Sequence, residues 1–297
     1  MFLPNDKFDV IIQAGQSNAE GCGRGAAPKP YIPTDKVLYY SSNFAAKIVS
    51  CGDGAEYLSV TYPEPPDISV AAEHGTPGDP TGDFALSFAR EYINDGRLKP
   101  GRKLLIIRAG VGGTGFSKGF WLPGGVCFSK LAQMIQEVRD ANADNRFMAL
   151  LWHQGEHDAF ENTGWSPEFR ESEYAKNFSF LVACVRNLCG RPELPVIAAG
   201  LCRDWADKND AACAAVAHAT RNVLSVENHG AFVDSDALLS NRQADPLSND
   251  DIHFCRAALY DLGKRYYAAY KAILSRTVSP SNLCANAARC SGLPQRF

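Results

Sequence analysis

Ser17, Asp250 and His253 are the residues whose types and spacing first suggest chemistry in this chain. Ser17 lies in Gly15-Gln16-Ser17-Asn18, directly after the apolar run 8–14. Small residues in such a turn let the backbone approach a ligand, and a serine that opens a helix keeps an amide with no intrahelical acceptor. A hydroxyl nucleophile and a donor for a developing oxyanion would then share one residue, aided by the helix dipole. The plainer alternative is a serine acting only as an N-cap. Asp250 and His253 stand three residues apart, just ahead of a helical pattern that starts at Arg256. That spacing offers a base together with the carboxylate that fixes its tautomer and stabilises the imidazolium. Asp251 competes for the carboxylate role, and an N-cap Asp beside a surface His is again the plainer alternative.

Two further segments supply donors. The run 103–109 leads into Gly110-Val111-Gly112-Gly113-Thr114-Gly115, and the run ending at Trp152 leads into His153-Gln154-Gly155-Glu156. A backbone amide from Gly112 or Gly113 and the Gln154 carboxamide would complete a three-donor hole with Ser17, each donor contributing about 10²–10³ in rate. The doubled glycine leaves two registers open.

These residues must be positioned by the elements around them. Continuous apolar runs at 8–14, 103–109, 146–152, 195–201 and 231–234 read as strands buried on both faces of a parallel sheet. Helical patterns at 83–95, 128–143, 167–189, 210–227 and 256–275 alternate with them, which argues a doubly wound α/β sheet with its functional loops at the strands' carboxyl ends. The stretch 21–80 is rich in Gly, Pro and aromatics and reads as an irregular insertion, with short strands at 36–42 and 57–61 and loops at 63–66 and 76–80. The segment 115–125, with Phe116, Phe120 and Trp121, is a candidate rim, and the chain after about residue 276 reads as a surface tail.

Composition sets outer limits. The 297 residues, 45% hydrophobic and 21% charged, fit one large α/β domain. A net charge of -3 and a pI near 6.1 give no basic field for nucleic acid or anionic lipid. No run approaches the length of a membrane span, and the first nine residues lack a signal-peptide pattern. The expected location is therefore cytoplasmic, or secreted if a leader has been removed. Among the ten cysteines, Cys184, Cys189, Cys202 and Cys213 fall in apolar stretches and read as reduced core thiols, whereas Cys284 and Cys290 could pair.

Taken together, the blocks resemble the SGNH (GDSL-like) hydrolase superfamily, in its sialate O-acetylesterase and carbohydrate esterase family 6 branch. The shared patterns are Gly-Gln-Ser-Asn at residues 15–18, Gly-Gly-Thr at 112–114, Trp-x-Gln-Gly-Glu-x-Asp-Ala at 152–159 and Asp-x-x-His at 250–253. The resemblance implies a flavodoxin-like three-layer α/β/α sandwich whose mostly parallel five-stranded sheet has the order 2-1-3-4-5. It also implies removal of O-acetyl groups from a sialate or xylan-type sugar through an acyl-enzyme. Carried over by position, Ser17 is nucleophile, His253 base and Asp250 orienter. Gln154 and one of Gly112 or Gly113 serve the oxyanion, Asn18 supports the site and Glu156 holds its loop. No metal or cofactor is implied. The chain departs from the family pattern at Ala19-Glu20-Gly21 and across 21–80.

Other readings are weaker. His153-Gln154-Gly155-Glu156-His157 fits a zinc-peptidase His-x-x-Glu-His, but it follows a strand and carries a glycine costing about 1 kcal/mol in a helix. Gly15-x-Ser17-x-Ala19 approaches the α/β-hydrolase elbow but follows the first strand rather than a later one. Gly110-x-Gly112-x-x-Gly115 mimics a dinucleotide fingerprint without promptly opening a helix. Trp121, Trp152, Trp165 and Trp205 could form a sugar-binding module without turnover, although tryptophans more often pack in cores.

Overall fold

In the computed structural model, residues 6–50, 56–76, 78–160 and 164–277 are described. The chain begins with β1 (Phe8–Gly15), α1 (Ser17–Glu20), β2 (Val37–Ser41), β3 (Ala45–Ser50), β4 (Glu56–Thr61) and β5 (Asp67–Val70). There follow β6 (His74–Thr76), β7 (Asp79–Thr81), α2 (Phe84–Asn94), β8 (Lys103–Gly110), α3 (Val126–Ala141) and β9 (Arg146–His153). Next come α4 (Glu156–Ala159), α5 (Pro167–Leu188), β10 (Val196–Ala199), α6 (Arg203–Ala206) and α7 (Asp210–Ser225). The last elements are β11 (Gly230–Val233), α8 (Asn241–Ala244) and α9 (Arg256–Thr277).

The strands expected from the apolar runs form the parallel centre of the sheet. Its full order is β11-β10-β9-β1-β8-β2-β5. Within it β8, β1, β9, β10 and β11 keep the relative order 2-1-3-4-5. The expected five-stranded sheet is nonetheless seven-stranded, because β2 adds in parallel beyond β8 and β5 adds antiparallel at the edge. Both come from the stretch read as irregular. That stretch also forms the β3–β4 and β6–β7 hairpins. Their residues are largely exposed, so the apolar alternation that marks a strand in sequence is missing from them.

Strand alternation sends side chains to two separate cores. Val10, Ile12, Leu105, Ile107, Leu150 and Trp152 face the layer formed by α3, α5 and α7. Ile11, Leu104, Ile106, Ala149 and Leu151 face α2 and α9. Fully burying a Leu or Ile side chain stabilises by roughly 1.5–3 kcal/mol, so both faces of the same strand contribute. Asp83 starts α2 as its N-cap, accepting the Leu86 amide at 3.0 Å and the Tyr39 hydroxyl at 2.6 Å.

Several sequence expectations change here. Phe116 and Trp121 are buried core residues rather than rim residues, with the Trp121 indole donating to Thr114 Oγ1 at 2.9 Å. Trp152 and Trp205 are buried as well, and Trp165 packs against the same core, so these rings are not exposed sugar platforms. Cys184, Cys189, Cys202 and Cys213 are free thiols, the last three buried, whereas Cys284 and Cys290 fall outside the described residues, as does the tail from 278. Among the described residues, no helix is long and apolar enough to cross a membrane.

Candidate active site

The sheet order reverses at β1, whose successors in the sheet lie on opposite sides of it, and this opens a crevice at the strands' carboxyl ends. Gly15 pairs with Gly110 on one side and with His153 on the other, so the turns after β1, β8 and β9 stand side by side. Gly15 is needed there. Its φ is +134°, and a Cβ would lie 1.9 Å from the His153 carbonyl oxygen.

Ser17 begins α1, and its amide makes no hydrogen bond among the described residues. The helix is a single four-residue turn, so the dipole expected to assist the oxyanion is small. Ser17 Oγ lies 2.8 Å from His253 Nε2. His253 Nδ1 lies 2.8 and 2.9 Å from the two Asp250 oxygens. An ionised carboxylate only accepts, so Nδ1 carries the proton and Nε2 is left to accept from the Ser17 hydroxyl. Burial works against ionisation of Asp250, but the hydrogen bonds from His253 and Asn241 outweigh it and hold its carboxyl at about 2. Asn241 donates to Asp250 Oδ2 at 2.8 Å and to the Cys22 carbonyl at 3.1 Å. Asp251, the competing carboxylate, pairs with Lys208 at 2.5 Å instead.

Asn18 ties the turn after β1 to the turn after β9 and to the loop that carries His253. Its amide group donates to Glu156 Oε1 at 2.7 Å and to the Ile252 carbonyl at 3.2 Å, and its oxygen accepts the Phe254 amide at 3.0 Å. Glu156 has no exposure to solvent. Burial opposes its charge, yet His153 and Asn18 outweigh burial and hold the carboxyl below the usual range. Sealed from solvent, its carboxylate joins the turn after β9 to Asn18.

The oxyanion candidates separate. A Cβ on Gly112 would lie 3.5 Å from Ser17 Cβ, whereas one on Gly113 would meet Leu58. Gly112 is therefore the glycine beside Ser17, and its amide donates to Glu20 Oε2 at 3.0 Å. Gln154 is buried, with its amide nitrogen directed at Gln16 Oε1, Thr114 O and Asp158 Oδ2 at 3.1, 3.3 and 3.0 Å. Of the three expected donors, the Gln154 carboxamide is thus turned into the protein, the Gly112 amide is held by Glu20, and the Ser17 amide has no partner among the described residues.

Sequence reasoning missed this frame. Gln16 Oε1 also accepts the His157 amide at 3.1 Å, and Asp158 accepts the amides of Phe116 and Ser117, both at 2.9 Å. Their places in the first and third blocks were the available signal; nothing near Asn241 pointed to its role. A cavity of about 300 Å³ adjoins the triad, lined by Asp250 and His253 together with Glu20, Arg24, His74 and Arg108. Larger clefts of about 570 and 600 Å³ lie elsewhere and contain no triad residue.

The metal-binding alternative lacks its geometry. His153 ends β9 and His157 lies in α4, so they do not share a helical face. Among the described residues, no group of three or more His, Cys, Asp or Glu could hold a metal ion. The first helix after Gly115 begins at Val126, which also disposes of the dinucleotide fingerprint.

The family model described as carbohydrate esterase, sialic acid-specific acetylesterase matches residues 7–272. No curated protein sequence matches the chain. Among solved structures, NanS is similar with a TM-score of 0.68 and 17% identity, over 92% of this chain and 98% of that one. A protein from Arabidopsis thaliana gives 0.63 and 19%, over 91% and 99% of the two chains. A carbohydrate acetylesterase from Xanthomonas citri gives 0.56 and 15%, over 89% of this chain and 56% of its own. At these identities the likeness concerns the fold.

Proposed function

The chain belongs to the carbohydrate esterase family of sialic acid-specific acetylesterases, and from that membership we propose that Ser17, His253 and Asp250 remove O-acetyl groups from a sugar through an acyl-enzyme. The family makes it a carboxylic ester hydrolase acting on acetylated carbohydrate. The observation that carries the serine mechanism is the 2.8 Å separation of Ser17 Oγ and His253 Nε2, with Asp250 on the other ring nitrogen.

In this reading His253 Nε2 takes the Ser17 proton as Oγ attacks the acetyl carbonyl carbon. The tetrahedral intermediate places its oxyanion between the Ser17 and Gly112 amides. Collapse breaks the bond to the sugar oxygen, which receives the proton from His253. A water then gives its proton to the same nitrogen, attacks the acyl-serine and releases acetate. Gln154 frames the hole from behind through Gln16 and Asp158, and donates to the oxyanion only if it gives up one of those partners. Of the sialate and xylan-type esters, the family description and the exposed guanidinium of Arg24 on the cavity wall favour the acid sugar.

The test is acetate release from acetylated sialic acid and acetylated xylan fragments, alongside 4-nitrophenyl acetate. Ser17→Ala should abolish release from every substrate with the fold retained, and a serine-directed phosphonate should label Ser17 of the wild type. Turnover that survives in Ser17→Ala would rule the mechanism out.

A further inference from the structure

Glu20 lies three residues after the nucleophile, where the chain departs from the family pattern. Its Oε2 accepts the Gly112 amide at 3.0 Å. A Cβ built on Gly112 would stand 3.3 Å from that oxygen and 3.5 Å from Ser17 Cβ, so carboxylate, amide and nucleophile crowd one point. An anionic oxygen held by the Gly112 N–H beside Ser17 is what the tetrahedral intermediate would also present. We propose that Glu20 is an internal competitor of the oxyanion: its carboxylate occupies the Gly112 donor in the resting enzyme and must vacate it for acylation. This rests on the serine-esterase reading and on Gly112 as a donor.

The carboxylate has somewhere else to go. Glu20 lines the same cavity as Arg108 and Arg24. Arg108 Nε is buried with no hydrogen-bond partner among the described residues, and its guanidinium already donates to the Glu20 carbonyl. Rotating the Glu20 side chain from Gly112 towards Arg108 would exchange a carboxylate–amide hydrogen bond for a carboxylate–guanidinium ion pair. The backbone need not move. The Ala19 and Glu20 amides stay bonded to the Gln16 carbonyl at 2.9 and 2.8 Å. Substrate therefore meets a site in which one donor becomes available only after a side-chain rotation.

A carboxylate that merely braced the glycine loop predicts the opposite sign, which makes the proposal testable. In Glu20→Ala the amide is permanently free; in Glu20→Gln an acceptor remains without its charge. Three quantities are measured on the full chain: the rate of Ser17 modification by a phosphonate, kcat/KM for 4-nitrophenyl acetate, and competitive inhibition by acetate. Glu20→Ala should raise the first two by about tenfold and tighten acetate by a similar factor, equivalent to one hydrogen bond. Glu20→Gln should show a smaller gain in the same direction. Slower modification and lower kcat/KM, or no change, in either folded variant would overturn the proposal and leave Glu20 as a brace. If the wild type neither reacts with phosphonate nor releases acetate, the esterase reading itself has failed and the proposal falls with it.

Discussion

Asn18 accepts the Phe254 amide at 3.0 Å, so the residue after the serine is bonded to the residue after the histidine. The same side chain reaches Ile252 and Glu156, which makes it the fastener between the Ser17 turn and the His253 loop. The distance between Ser17 and His253 is maintained by this neighbour as well as by their own hydrogen bond.

Replacing Asn18 by Ala should therefore damage both stability and rate. The substitution removes one of the two groups that hold the buried Glu156 carboxylate and leaves the Phe254 amide without its acceptor. Leaving a buried polar group unsatisfied costs about 1–3 kcal/mol. Urea unfolding should show that loss, and kcat should fall at least tenfold as the His253 loop loosens. Full stability in Asn18→Ala would contradict the fastener role.

Asp250→Asn should lower kcat by about 10²–10⁴, since a carboxamide no longer fixes the tautomer or stabilises the imidazolium. The pH dependence of stability follows from its depressed carboxyl. A group held at about 2 in the fold and near 3.9 when unfolded contributes fully above about pH 4 and loses that contribution as pH falls through 2. The stability gap between wild type and Asp250→Asn should accordingly be complete at pH 6 and reduced to roughly half at pH 3. Equal gaps at the two pH values would show that Asp250 is not the group responsible.

Gln154→Ala distinguishes a frame residue from a hole donor. Loss of a pure oxyanion donor costs about 10²–10³ in kcat and leaves stability alone. Gln154 instead satisfies buried acceptors on Gln16, Thr114 and Asp158. The expected result is a destabilisation of about 1–3 kcal/mol accompanied by a smaller loss of rate. An unchanged melting temperature with a thousandfold loss would return Gln154 to the hole.

Gly15→Ala probes the close approach of β1 and β9. The added methyl would collide with the His153 carbonyl in a backbone conformation that favours glycine. Overpacking of this kind costs roughly 1–3 kcal/mol. Because the collision lies two residues from Ser17, activity should fall more steeply than stability, which thermal unfolding and acetate release can separate.

The amino-acid sequence alone determined the central strands, the helices between them and the four blocks at their ends. Each is written in contiguous residues: an unbroken apolar run such as the one ending at Ala14, or a short motif such as Asp250-x-x-His253. Strands β3, β5, β6 and β7 escaped because they are short and mostly exposed, and carry no buried face for a pattern to record. Only the tertiary structure decided how the donors of the site are spent. Gln154 turns to Gln16, Thr114 and Asp158, Asn241 supports Asp250, and Glu20 takes the Gly112 amide. The physical reason is that a polar side chain bonds to whatever folding brings within about 3 Å, and here those partners come from loops distant in the chain.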